Sequence, residues 1–434
     1  MSPRTISWLV FFVLLSCIGL RVAALRPTPD TDALDRQRAA YQYVRSVIRE
    51  NYVKDVDDRK LLYGALNGMT AALDRHSQFL TPSEYEALRT STTGQFEGVG
   101  IEFSAEDGQG IFVLTPLQDS PAYRGGVFPG DKLLKVDDTV VTGMKLDEVG
   151  RRIRGPIGSP VRLTLLHEGQ TTPVEVVLTR AVNEIKSIQV AELLPASLVP
   201  DGKKIGYVQL AQFQQRTASH MDAALKVMEA QGMQALLLDL RQNPGGLLDA
   251  AEQVADLFLS DGEIVRVITR SAAQSKSKGT VATAEADGTH PDYPLAILVD
   301  GHSASASEIV SGALKDRGRA VLVGDKTYGK FSVQDVFPVP LGDWGRSALK
   351  LTIARYQTPL SPCIDGQGLV PDYLVPFTPE QQRGLQISRM QRHVHDNDPR
   401  GEKAPPQKGE PFNDLQLKKA IEVLCAKLNG AKGQ

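Results

Sequence analysis

A chain of 434 residues with 41% hydrophobic content is long enough for two or three folded units, each burying its own core, which excludes a single small domain. Its 49 basic and 51 acidic residues nearly cancel, so no overall field draws it onto nucleic acid or an anionic bilayer.

The first segment carries Arg4, an apolar run from Ile6 to Leu20, then Arg21 and the small residues Ala23 and Ala24. That run is short for a spanning helix, and a basic start followed by small residues suits an export signal over residues 1–25. Cleavage of the signal is the preferred reading and retention as an anchor to the inner membrane the close alternative. Leu14-Leu15-Ser16-Cys17 as a lipid-processing site is the less favoured one. Either way the protein is expected to be exported, to the periplasm or cell envelope. Without the signal only Cys363 and Cys425 remain, too few and too far apart for a disulfide framework, so a pair and two separate buried thiols both stay open. The lack of Cys or His clusters at ligand spacing argues against a structural zinc site.

Residues 30–95 have helical apolar spacing, as in Tyr43, Val47 and Ile48 and again in Leu62, Leu66, Met69 and Leu73. Thr81-Pro82 followed by Glu84 predicts a further short helix. Residues 96–182 change to Gly-rich text with short alternating runs, Val161–Leu165 and Val174–Leu178, broken by Pro129-Gly130-Asp131 and Gly155-Pro156-Ile157-Gly158. A small β-rich module is expected there. Over residues 183–380 strands (Ile205–Leu210, Leu236–Leu240, Leu295–Val299) alternate with helices (Thr217–Gln231, Leu247–Leu259, Ile309–Arg317), the pattern of an α/β core. Ser271–Asp292 and Arg392–Glu410 are polar enough to be mobile surface loops, so residues 381–434 are read as a mobile linker and a C-terminal helix over Asp414–Lys427.

The densest chemical signal follows Asp300: Gly301-His302-Ser303-Ala304-Ser305-Ala306-Ser307-Glu308, a strand-to-helix turn. Free N–H groups at such a junction can stabilise developing negative charge. Ser305-x-x-Glu308 also reads as a capping box, which needs Ser305 only to satisfy helix donors. Lys330 follows glycines in strand-like text, where a lysine is ordinarily a solvated charge; desolvated, it can act as a general base. Gln334, four positions on, shares a face with it if the strand is regular.

At this point the chain resembles the carboxyl-terminal processing, or tail-specific, proteases over nearly its whole length after the signal. The matching text is Leu73-Asp74-Arg75-His76-Ser77 with Phe79-Leu80-Thr81-Pro82, Gly94-x-Phe96-x-Gly98-Val99-Gly100-Ile101, Asp239-Leu240-Arg241-x-Asn243-Pro244-Gly245-Gly246 and Ser303–Glu308. It continues through Gly324-x-x-Thr327-Tyr328-Gly329-Lys330, Ala354-Arg355-Tyr356-x-Thr358-Pro359 and Gly366-x-Gly368-x-x-Pro371-Asp372. Each block is weak alone; seven in the family's order are not.

The resemblance implies an α/β (α+β multidomain) fold, a crotonase/ClpP-like protease core with an inserted PDZ domain, and no cofactor. It implies Ser305 as nucleophile, Lys330 as general base and Gln334 as the lysine's support. Oxyanion donors would be the backbone N–H groups of Ala306 and Gly246. Gly98, Val99, Gly100 and Ile101 would form the PDZ loop that holds a terminal carboxylate, with Leu146, Val149 and Ile153 on one helical face lining its groove or packing in its core. The implied partners are proteins or peptides with accessible C-terminal tails and no nucleic acid; membrane association through the N-terminal segment and a homo-oligomer are both compatible with the text. One departure is Phe331, where the family has glycine: on a strand it points away from Lys330 and packs, or else it crowds the site, which motivates the alternative of an inactive tail-binding scaffold. His302 invites a Ser-His-Asp reading, but is read as a turn residue, and His76 as structural.

Overall fold

The computed structural model describes residues 31–106, 110–275, 277–360, 365–401 and 412–430; the apolar N-terminal run, Cys17 and Cys363 lie outside them. The chain divides into two compact units, Met1–Phe79 and Leu80–Gln434. In the first, helices Thr31–Asn51 and Asp58–Ala71 are joined where Arg45 Nε donates to Asp58 Oδ1 at 3.0 Å. Asp74 closes its end by accepting from the His76 and Ser77 amides, so the His76 motif builds a turn. No helix among the described residues is long and apolar enough to cross a membrane.

The second unit opens with helix Pro82–Thr93, started by reciprocal Thr81–Glu84 capping and ended by Gly94 in the left-handed region. Strand Gln95–Gly98 then pairs antiparallel with Ala181–Glu184, so the chain enters and leaves the β-rich module side by side. Inside it, strands Ile101–Glu106, Gly110–Pro116, Lys132–Val136, Pro160–Leu166 and Val174–Thr179 form an antiparallel sheet. Inward-facing Leu133, Val161, Leu163 and Leu178 pack there with Val149 and Ile153 of helix Leu146–Ile153.

The core sheet runs Ile188–Leu193, Ile205–Leu210, Ala235–Asp239, Leu295–Val299, Ala320–Gly324, Tyr373–Leu374, parallel after its first antiparallel pair. Both faces are covered, which is why its strands read as unbroken apolar runs. Leu236 and Leu238 face the helices Thr217–Ala230, Leu248–Asp256 and Ala306–Asp316, while Ala235 and Leu237 face the C-terminal helix Leu415–Gly430. Cys425 of that helix is a buried free thiol. A long antiparallel hairpin, Ser332–Pro340 with Arg346–Gln357, extends beside the core.

Two expectations about polar stretches need correction. The segment after Thr269 holds a short helix, Arg270–Gln274, and a strand, Thr280–Thr283, that pairs with Glu263–Thr269. The expected linker from 381 begins instead as helix Pro379–Asp396, capped by Thr378 and Gln381. That helix is polar because its ties are ionic. Arg389 Nη2 reaches Asp239 Oδ2 at 2.7 Å, Arg392 meets Glu192, and His393 Nε2 lies 3.1 Å from Glu102 of the β-rich module. Asp239, fully buried, also accepts from Arg241 and Tyr207, and Arg241 continues to Asp414 beside the C-terminal helix. Burial opposes ionisation of Asp239, but Arg241 and Arg389 hold its carboxyl well below the usual range.

Truncating Asp239 to alanine strands the Arg389 guanidinium without its counter-charge and leaves Arg241 with Asp414 alone. The expected cost is about 3–5 kcal/mol, read as a fall in the urea midpoint.

Candidate active site

Strand Leu295–Val299 delivers the chain into a turn whose Asp300 Oδ1 accepts from the amides of Gln242, His302 and Ser303. The turn ends at Ser305, held at φ 56° and ψ −114°. A non-glycine residue there is strained by about 1–3 kcal/mol, and the strain projects its hydroxyl out of the junction.

The three serines divide their roles. Ser303 and Ser307 are fully buried and donate to the carbonyls of Leu240 and Asn243, at 2.7 and 2.9 Å, stitching this turn to the next one. Ser305 is half-buried and forms the reciprocal capping box with Glu308 that the sequence signature predicts, though its hydroxyl makes no full cap hydrogen bond; its Oγ lies 3.4 Å from Lys330 Nζ.

Asn243-Pro244-Gly245-Gly246 is pressed against this junction. The Asn243 carbonyl accepts from the Ala304 amide, and a Cβ on Gly245 would stand 2.7 Å from the Ala304 carbonyl oxygen and 2.9 Å from Ser305 Cβ. Gly246 has φ 150°, and a Cβ on it would lie 2.0 Å from the Phe213 carbonyl oxygen. The bridge to Phe213 uses the Gly245 carbonyl and the Leu247 amide, so the N–H groups of Gly246 and Ala306 take no partner among the described residues.

Lys330 lies just before the hairpin strand rather than in it. Its Nζ also donates to the Ser332 carbonyl at 3.2 Å. Burial pushes its pKa down to about 8, helped by the Lys350 charge and opposed by Glu308 and Asp365. Gln334 does not bond to the lysine as expected: its Nε2 donates to Ser332 Oγ and Thr352 Oγ1, at 2.9 and 3.1 Å. A register shift between Val333 and Gln334 breaks the two-residue alternation on which that expectation rested. Phe331 is buried and packs edge-on against Tyr356, with ring centroids 5.3 Å apart, and it does not line the cleft.

Two further residues connect the pair. Glu308, which its sequence context marks only as a cap, is fully buried; Oε2 accepts from the Ser305 and Lys330 amides, and Oε1 from the Gly329 amide and the Thr327 hydroxyl. Burial raises its pKa and these four donors oppose the rise. The Tyr356 hydroxyl lies 3.0 Å from the Ser305 carbonyl and 2.6 Å from that of Lys330. His302 is solvent-exposed, with Nδ1 3.9 Å from Asp300, and among the described residues its ring makes no hydrogen bond to Ser305. Among the described residues no group of His, Cys, Asp and Glu could hold a metal ion.

Ser305, Ala306, Gly246, Lys330 and Gln334 open onto one cleft of about 480 Å³. A second groove, about 430 Å³, runs between Gly98–Ile101 and Leu146 and Ile153, whereas Val149 is core. Helix Pro82–Thr93 walls both: Tyr85, Leu88, Arg89 and Thr92 face the cleft, and Ser83, Glu84 and Ala87 face the groove.

Residues 204–375 match peptidase family S41 and residues 112–166 match a PDZ domain. A carboxy-terminal-processing protease of Bartonella bacilliformis is 34% identical over 440 residues, covering 99% of this chain and 97% of that protein. A carboxyl-terminal-processing protease of Synechocystis is 36% identical over 338 residues, covering 76% and 74%. In fold, a putative S41 protease from Bacteroides fragilis covers 89% of this chain and 97% of its own, with a TM-score of 0.51 at 17% identity. The α/β core and the β-rich module are therefore those of a PDZ-bearing serine peptidase. The chain belongs to the carboxyl-terminal-processing proteases.

Replacing Glu308 by glutamine turns one acceptor oxygen into a donor facing backbone N–H groups. We expect a stability loss of about 1–3 kcal/mol with a steeper loss of turnover, measured by urea unfolding and peptide cleavage on the same preparations.

Proposed function

We propose that the protein is an exported endopeptidase that takes substrates by their C-terminal tails and cleaves them with Ser305 and Lys330. The observation that carries this reading is the division among the serines: two are consumed by structure, and the third points its hydroxyl at a desolvated ammonium.

The pKa of about 8 lets Lys330 be neutral at mildly alkaline pH and accept the Ser305 proton as Oγ attacks the scissile carbonyl. The N–H groups of Ala306 and Gly246, on the cleft wall, would take the developing oxyanion. The acyl-enzyme then forms as the amine leaves with the proton from Lys330, and water, deprotonated by the same lysine, releases the product. Gln334 acts at one remove, fixing Ser332, whose carbonyl holds the lysine. Upstream, the Gly98–Ile101 groove is suited to a tail that adds as a strand and ends its carboxylate in the loop. Export rests on the apolar N-terminal run.

The inactive-scaffold alternative was motivated by Phe331 crowding the lysine; burial of that ring against Tyr356 removes the motive.

Ser305→Ala should abolish cleavage of a tail-bearing protein followed by intact mass, and Lys330→Ala should lower kcat/KM by about 10²–10⁴-fold. Because the neutral amine is the active form, kcat/KM should rise with pH to a plateau, with its midpoint near about 8. A midpoint near that of histidine, or full activity in the lysine variant, refutes the dyad. Gly100→Val, which drives a side chain into Ser120 at a glycine with φ 76°, should raise KM for tailed substrates more than it lowers kcat.

A further inference from the structure

The catalytic cleft has a one-sided charge inventory. Its charged lining residues are Arg89, Lys330 and Lys350, with no carboxylate among them. Arg89 is paired with Glu86 at 3.1 Å, and Lys330 is bonded to Ser305 and Ser332. Lys350 is different. It stands opposite Val336 in the hairpin and is half-buried, and among the described residues its ammonium makes no ion pair and no hydrogen bond.

An ammonium without a protein counter-charge gains most from an anion brought to it. The cleft lining supplies no carboxylate, so such a partner would arrive with the substrate. The charge is also close enough to the reacting groups to act on them, since it helps hold the Lys330 pKa down. With Lys330 neutral, Arg89 and Lys350 are the cations on the cleft wall, Arg89 being paired with Glu86, and in a partly enclosed cleft a single sign of charge attracts and orients its opposite.

We propose that Lys350 is a specificity-determining residue that pairs with a carboxylate of the bound substrate close to the scissile bond. The carboxylate is an Asp or Glu side chain of the tail, or the free C-terminus of a short one. This assignment rests on the reading of the cleft as the peptidase site.

The test uses Ala/Leu peptides carrying one Asp scanned through every position, each with its Asn twin and each made as free acid and as amide. Cleavage is measured with the unmodified enzyme, Lys350→Met, Lys350→Gln and Lys350→Arg, and affinity with the Ser305→Ala protein with and without Lys350→Met. We expect a preference of about tenfold for Asp over Asn at one position, or for acid over amide, carried mainly in KM. The Asp-over-Asn preference should fall to within about twofold in the Met and Gln variants and persist in Lys350→Arg, and an acid-over-amide preference should fall about tenfold relative to the unmodified enzyme, down to whatever the PDZ groove contributes to both. Preference at an Asp position identifies the side chain, and preference confined to the free acid identifies the terminus. An equal preference in Lys350→Met, or none anywhere in the unmodified enzyme, overturns the proposal. Tail capture by the PDZ groove cancels in the comparison, because both proteins carry that groove. If no peptide is cleaved, the peptidase reading fails, and the affinities of the Ser305→Ala pair still decide whether Lys350 reads a carboxylate.

Discussion

A buried carboxylate organises this site. Glu308 sits at the start of its helix, yet its two oxygens are shared among four donors from two distant stretches of chain: the Ser305 amide on one side, and Thr327, Gly329 and Lys330 on the other. An uncompensated carboxylate at that depth would be costly, so its presence obliges those donors to converge. The distance between the hydroxyl at 305 and the amine at 330 is thereby set by backbone groups held on one side chain. Tyr356 adds a clamp on the carbonyl side of both residues, and its ring is covered by Phe331. The residue that departs from the family's pattern thus serves the site through packing.

The same economy appears on the far side of the sheet. Asp239 ends a central strand and gathers Arg241, Arg389 and Tyr207, while Arg241 passes the connection to Asp414. Two peripheral helices are held by this ionic node, one of which reaches Glu102 in the PDZ module through His393. The side chain of Arg241 and the turn that follows it lie in one short stretch. The strand end that anchors the C-terminal elements therefore also leads directly into Gly245 and Gly246 against the nucleophile.

Much of this was legible in the amino-acid order. Ile205–Leu210 and Leu295–Val299 were read at their observed bounds because parallel strands buried on both faces are unbroken apolar runs. The Thr81-Pro82-x-Glu84 signature likewise announced its helix. What stayed hidden were properties that depend on partners far along the chain. Helix Pro379–Asp396 carries few apolar residues because arginine and histidine fasten it, so its composition looked like that of a loop. Desolvation of Lys330 is a property of the pocket around it, not of its neighbours in sequence. The side-chain direction of Gln334 is hidden from strand alternation because one irregularity in pairing shifts every later side chain. Glu308 was visible only as half of a local cap, while three of its donors come from the segment near Lys330.

The helix from Pro82 to Thr93 has turns enough to present one flank to the groove and another to the cleft. On the proposed peptidase reading, any displacement of this shared wall by a docked tail would reappear, by thermodynamic reciprocity, as an altered affinity of the cleft for its own occupant, and the converse transfer would have the same size.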